Sequence, residues 1–124
     1  MLVKRVTRWR LLTDCGPNMA YKIVETQLAG QDLDSILEYI AVSLANPSAA
    51  AAFADKVEKC YLGLQSMPMM YELCRDKHLR AFGYRKVNIG NHIMIYKINE
   101  LDKTVVIMRF FYGRQDYKRL LDLF

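Results

Sequence analysis

The apolar residues of this chain change their spacing near Pro68, and that change limits the folds open to it. Between Asp32 and Leu64 they recur every three or four residues, the pitch of a helix resting on an apolar surface. Leu33, Ile36, Leu37, Ile40 and Leu44 form one such stripe, and Ala50, Phe53, Ala54, Val57, Cys60, Tyr61 and Leu64 form a second. Beyond Leu79 the pattern changes to alternating and β-branched runs, which suit strands. Two amphipathic helices followed by strands must share one core, with the helices on one face of a sheet.

Local signals divide the chain further. Tyr21 to Thr26 reads as a first strand, closed by a loop at Gly30, and a helix is expected from Asp32. Asp32 and Asp34 suit the positive end of that helix. Asn46-Pro47 ends it and starts the next, because proline disfavours helical geometry in the residue before it yet fits the first helical position. Asn46 is the expected N-cap and Pro68 the stop. Met67, Met69 and Met70 are expected to plug the end of the core. Strands are then expected over Leu79 to Ile89, His92 to Ile98 and Thr104 to Tyr112, with a turn at Gly90-Asn91 and a loop over Asn99 to Lys103. The order β-α-α-β-β-β implies an α+β fold: a helical hairpin packed on one face of a twisted, mainly antiparallel sheet. Met19 opens this domain, residues 19 to 124, and residues 1 to 18 are expected to be a basic extension, non-native or flexible.

With 124 residues, one domain with one core is the natural reading. No apolar run approaches the roughly eighteen residues of a membrane span, and no continuous apolar stretch follows the basic start, so a cytoplasmic protein is expected. Cys15, Cys60 and Cys74 are widely separated and form no metal-ligand spacing, so no metal, cofactor or disulfide framework is expected, and Cys60 should pack as a small hydrophobe.

Charge is polarised along the chain. Residues 19 to 74 carry three basic side chains against seven acidic ones, whereas residues 75 to 124 carry eleven against five. Such a field favours an anionic partner at the second half. If Ile98 pairs with Thr104, Lys97 and Arg109 share one face, and the opposite, wholly apolar face lies under the helices. Arg85 is expected on the cationic face, and Arg114, Tyr117 and Lys118 follow closely after Tyr112. Cations interleaved with tyrosines suit either a phosphate backbone or an acidic amphipathic protein segment. Arg114 to Phe124 equally suits a short helix with Leu120, Leu121 and Phe124 packed inward. His92, beside a turn, is expected to be exposed, and neither a phosphate loop nor a nucleophile elbow is present in the sequence.

The stretch Asp32-Leu33, Ile36, Tyr39-Ile40-Ala41, Asn46-Pro47, Ala50, Phe53, Leu64 and Pro68 resembles the helical hairpin of ParE-type toxins. Arg85-Lys86-Val87, Ile93 to Tyr96, Val105 to Ile107 and the closing Tyr112-Gly113-Arg114-Gln115-Asp116-Tyr117 are similar to the sheet and the aromatic-x-Arg-Arg-Asp-aromatic ending of the RelE/ParE superfamily. The resemblance spans residues 20 to 121. It implies a toxin of a type II toxin-antitoxin system, of the plasmid-stabilisation kind, neutralised by a cognate antitoxin. Members of the superfamily either inhibit DNA gyrase or cleave mRNA on the ribosome. Gln115 stands where a second Arg is usual, and Tyr112 where many relatives have His. A ribonuclease would therefore need Arg85, Arg109, Tyr112 and Arg114 without metal, and arginine is a poor proton donor. This favours gyrase inhibition, with Arg85, Lys97, Arg109, Tyr112, Arg114, Tyr117 and Lys118 as the toxic or antitoxin-covered surface. The ribonuclease is the alternative, and an inactive scaffold that only binds its antitoxin is a third reading.

Overall fold

The computed structural model describes residues 3–6 and 21–113. Its elements are β1 (Val3–Val6), β2 (Lys22–Thr26), α1 (Gln27–Glu38) running into a π-helical turn (Tyr39–Ser43), α2 (Pro47–Ser66), α3 (Lys77–Ala81), β3 (Arg85–Ile89), β4 (His92–Asn99) and β5 (Thr104–Tyr112). The sheet order is β1-β2-β5-β4-β3; β2 and β5 run parallel and the other neighbours antiparallel. The expected α+β arrangement is present, with β1 as a fifth strand on the outer edge.

The first helix starts five residues before the expected position. Thr26 is its N-cap: the hydroxyl accepts the N–H of Ala29 at 3.0 Å and donates to the carbonyl of Met108 at 2.8 Å, so one side chain both begins the helix and ties it to β5. Gly30 is therefore a buried helical residue and closes no loop. The helix then takes a wider turn, with the N–H of Leu44 bonded to the carbonyl of Tyr39, five residues back, at 3.0 Å. The extra residue rotates the end of the helix about its axis, and Leu44, expected on the buried stripe, is 55% exposed. Asn46 caps α2 as expected, accepting the N–H of Ala49 at 3.1 Å, with Pro47 in the first helical turn.

Two clusters fill the two faces of the sheet. Under the helices, Ile23, Leu33, Val57, Tyr61, Leu64, Met94, Tyr96, Val105 and Ile107 are sealed from solvent. Glu25 is buried on this side as well and accepts the Tyr61 hydroxyl at 2.8 Å. The opposite face, expected to be open, is crossed by the chain from Leu73 to Tyr84. Cys74 and Leu79 pack there on Ile93, Ile95 and Phe111. The N–H of Cys74 bonds to the carbonyl of Tyr84 at 2.9 Å and anchors that segment. Part of the expected strand from Leu79 is accordingly the short helix α3. Met67, Met69 and Met70, expected to fill the core, are about half exposed. Cys60 is half-buried against the main core, and burial pushes its thiol up to about 11, which leaves it a packing residue.

A register change decides which side chains meet. The β4–β5 loop is one residue shorter than expected: Asn99 pairs with Thr104, Ile98 with Val105 and Lys97 with Val106. Val105 and Ile107, rather than Val106 and Met108, thus lie under the helices. Continued unbroken, this register would also carry Arg109 beneath them, where an unpaired guanidinium is costly. A bulge between Ile95 and Tyr96 takes up Met108 as an extra residue, and Arg109 pairs with Ile95 on the side opposite the helices. Lys97 and Arg109 do share a face, through a slip the sequence pattern did not announce.

Candidate functional site

β5 outlasts its neighbour β2, whose pairing ends at Glu25 opposite Ile107, so the backbone beyond that point lacks a strand on this side. Helix α1 supplies the missing partner. The Asp32 carboxylate accepts the N–H of Phe110 at 3.1 Å and takes two hydrogen bonds from Arg109, from Nε at 2.7 Å and from an Nη at 3.1 Å. The paired side chains are only 20% and 18% exposed, and the guanidinium also lies 5.2 Å from the centre of the Phe111 ring. Asp32, expected to serve the first helical turn, is instead a clamp between helix and sheet. A carboxylate already held this way cancels much of the field that Arg109 would offer an anion. Sequence spacing carries no sign of a contact between residues so far apart.

The other candidate residues separate. Lys97 is exposed, with its ammonium 5.7 Å from the centre of the Tyr84 ring. Arg85 pairs with Tyr96 and so points to the helical side, where it donates to the carbonyl of Tyr71 at 2.6 Å; Lys86, opposite Ile95, takes the place on the Lys97 face that Arg85 was expected to hold. Tyr112 pairs with His92 at the far end of the sheet. Arg114, Tyr117 and Lys118 lie outside the described residues.

Tyr112 and His92 belong to a groove on the helical side. It has a volume of about 660 Å³ and is walled by Ile36, Tyr39, Ile40 and Leu44 from α1 and its π turn. His92 is not the exposed residue expected: it is wedged edge-on between Phe53, 5.2 Å away, and Tyr112, 5.6 Å away. Burial lowers its proton affinity, so the imidazole is neutral at pH 7. Tyr39, Val42 and Leu44 are each more than half exposed at the tip of the hairpin and extend the groove as an apolar rim. The π turn that exposes Leu44 is the element that helical periodicity does not announce. Among the described residues no cluster of three potential metal ligands occurs, and no helix is long and apolar enough to cross a membrane.

The family model of the ParE toxin of type II toxin-antitoxin systems, parDE, matches residues 23–117, and the chain belongs to that family. Among solved structures it is similar to a chain of the RelBE2 toxin-antitoxin complex from Mycobacterium tuberculosis, with 23% identity and a TM-score of 0.53, covering 75% of this chain and 98% of that one. It is also similar to a chain of the chromosomal ParDE system from P. aeruginosa, with 18% identity and a TM-score of 0.59, covering 77% and 98%. At these identities the likeness is one of fold. No curated protein sequence matches it significantly.

Proposed function

We propose that this toxin arrests growth by binding DNA gyrase rather than by cutting RNA, and that a cognate antitoxin neutralises it. The observation that carries this reading is the dispersal of the groups a ribonuclease would need. Arg85 and Tyr112 are registered on residues of β4 four positions apart, about 13 Å along the strand. Arg109 projects from the opposite face and is engaged by Asp32. A proton donor and a phosphate clamp have to converge on one reacting atom, and these three do not. The neutral His92 lies in an apolar groove, better suited to receiving an apolar side chain than to moving a proton.

The antitoxin would seat an amphipathic segment in the groove between the π turn and Tyr112, with its acidic residues toward the basic second half of the chain. The solved structures similar to this chain come from a toxin-antitoxin complex and a chromosomal ParDE system, in keeping with such a partner.

Induction of the gene from a tightly repressed promoter tests the target. Inhibited supercoiling by purified gyrase, with DNA-damage signalling in cells, is the expected result. Early loss of intact mRNA with normal supercoiling would replace this reading with the ribonuclease, and unimpaired growth would leave only the antitoxin-binding scaffold. Co-expression of the neighbouring short reading frame with an acidic tail should restore growth, and Ile40→Asp should weaken that rescue.

A further inference from the structure

The corner formed by α3, the turn after it and β4 carries an aromatic and cationic arrangement of which the toxin reading uses only Lys97. α3 ends in a Schellman motif. Gly83, at φ +81°, donates its N–H to the carbonyl of Arg80 at 3.0 Å, and Tyr84 donates to that of Leu79 at 3.0 Å. This closure sends Phe82 outward, 60% exposed, and folds Tyr84 back over the sheet. The result is a run of rings: His78 edge-on to Phe82 at 6.4 Å and 88°, Phe82 tilted against Tyr84 at 6.3 Å and 48°, and the Lys97 ammonium 5.7 Å from the centre of Tyr84. Neither ring pair is stacked face to face, so Phe82 retains ring surface toward solvent. Lys77 and Arg80 of α3, and Arg75 just before it, are exposed. Asp76 is occupied in capping α3, where it accepts the N–H of Leu79 at 3.3 Å.

We propose that this corner is a binding platform for single-stranded nucleic acid, with Phe82 offering a ring face to a base, Tyr84 supporting it from behind, and Lys77, Arg80 and Lys97 neutralising phosphates. A planar ring with solvent-facing surface, held rigidly among cations, suits a ligand that alternates flat apolar groups with negative charge. A duplex presents its charge but buries its bases. A second copy of the chain would bring like charges together, and an acidic peptide without apolar side chains would use the cations and leave Phe82 unmatched. The platform is independent of the gyrase reading, because it uses none of the groove residues.

Fluorescence anisotropy of the full-length protein with a labelled oligothymidylate of about twelve nucleotides, within the usual site size of single-strand grooves, tests it. Wild type should bind with a log–log salt slope near −2, as about three neutralised phosphates require. Phe82→Leu, which keeps an apolar side chain but removes the ring, should weaken binding about tenfold. Lys97→Ala should reduce the salt slope by roughly 0.7. Arg80→Ala, at an exposed position, should also reduce the slope and serves if Phe82→Leu proves unfolded by its thermal melt. Absence of wild-type binding, tighter binding of a duplex of the same length, or unchanged affinity in folded Phe82→Leu would each overturn the proposal. So would equal competition by oligoglutamate at matched charge, which would point to an acidic protein partner.

Discussion

Beneath α1 and α2 the sheet is sealed by long apolar side chains from both layers, whereas on its other side a short segment covers only Ile93, Ile95 and Phe111 and leaves Lys97 and Phe82 in solvent. The main core thus lies on one face and the open cations on the other, although the groove of His92 and Tyr112 opens on the helical side. Burying many methylene groups on one side frees the other to carry residues that a core would reject. The two cations of the second face show how local the division is. Lys97 stays open, while Arg109, which pairs with Ile95 on the same face, is drawn to Asp32 where β5 runs past β2.

The largest test of that division is a cavity. Leu33→Ala, in the main cluster, should cost about 3 kcal/mol in urea unfolding, and Leu79→Ala, in the smaller one, clearly less. Equal losses would mean that the second cluster is a core in its own right and that the faces do not divide the labour. Next comes the clamp. Asp32→Ala removes the acceptor of both Arg109 and the Phe110 N–H, so a loss of about 2 kcal/mol is expected. A double-mutant cycle with Arg109→Ala should show strong coupling; additive losses would make Arg109 a free surface cation after all.

A smaller effect concerns the groove. Burial depresses the proton affinity of His92 below its ordinary 6.5. The stability contributed by its neutral form is therefore present above that value and lost as pH falls through the lower folded one. His92→Phe should flatten the acid side of the melting-temperature profile below about pH 6.5, and an unchanged profile would place the acid sensitivity elsewhere. The smallest effect expected is at the methionines. Met69→Gln should change stability by no more than about 0.5 kcal/mol, since the side chain is 55% exposed; a larger loss would return it to the core the sequence suggested.

Most of the order of elements was legible because periodicity and caps act over a few residues; β1 and α3 were not. The helical stripes as far as Ile40, the Asn46-Pro47 junction and the turn at Gly90 rest on local signals, and the strand from Thr104 to Tyr112 on its β-branched and aromatic residues. The cationic second half was also legible, since charge counts do not depend on register. The candidate site was much less so. Arg85 was assigned to the wrong face, and Asp32, Phe82 and the groove around His92 were not recognised.

By itself the sequence determined the two long helices and the strands β2 to β5, and that those two helices lie on one side of the sheet, because each segment's own spacing of apolar residues sets the side it buries; β1, and α3 on the opposite side, it did not announce. Tertiary structure alone decided where the first helix begins, through the bond from Thr26 to Met108, and how the π turn exposes Leu44. It also decided through the bulge at Met108 that Arg109 emerges opposite the helices and meets Asp32. The physical reason is that a strand's side chains alternate with a period of two, so one inserted residue reverses every face beyond it, and whether that residue is inserted depends on what the neighbouring layers can bury.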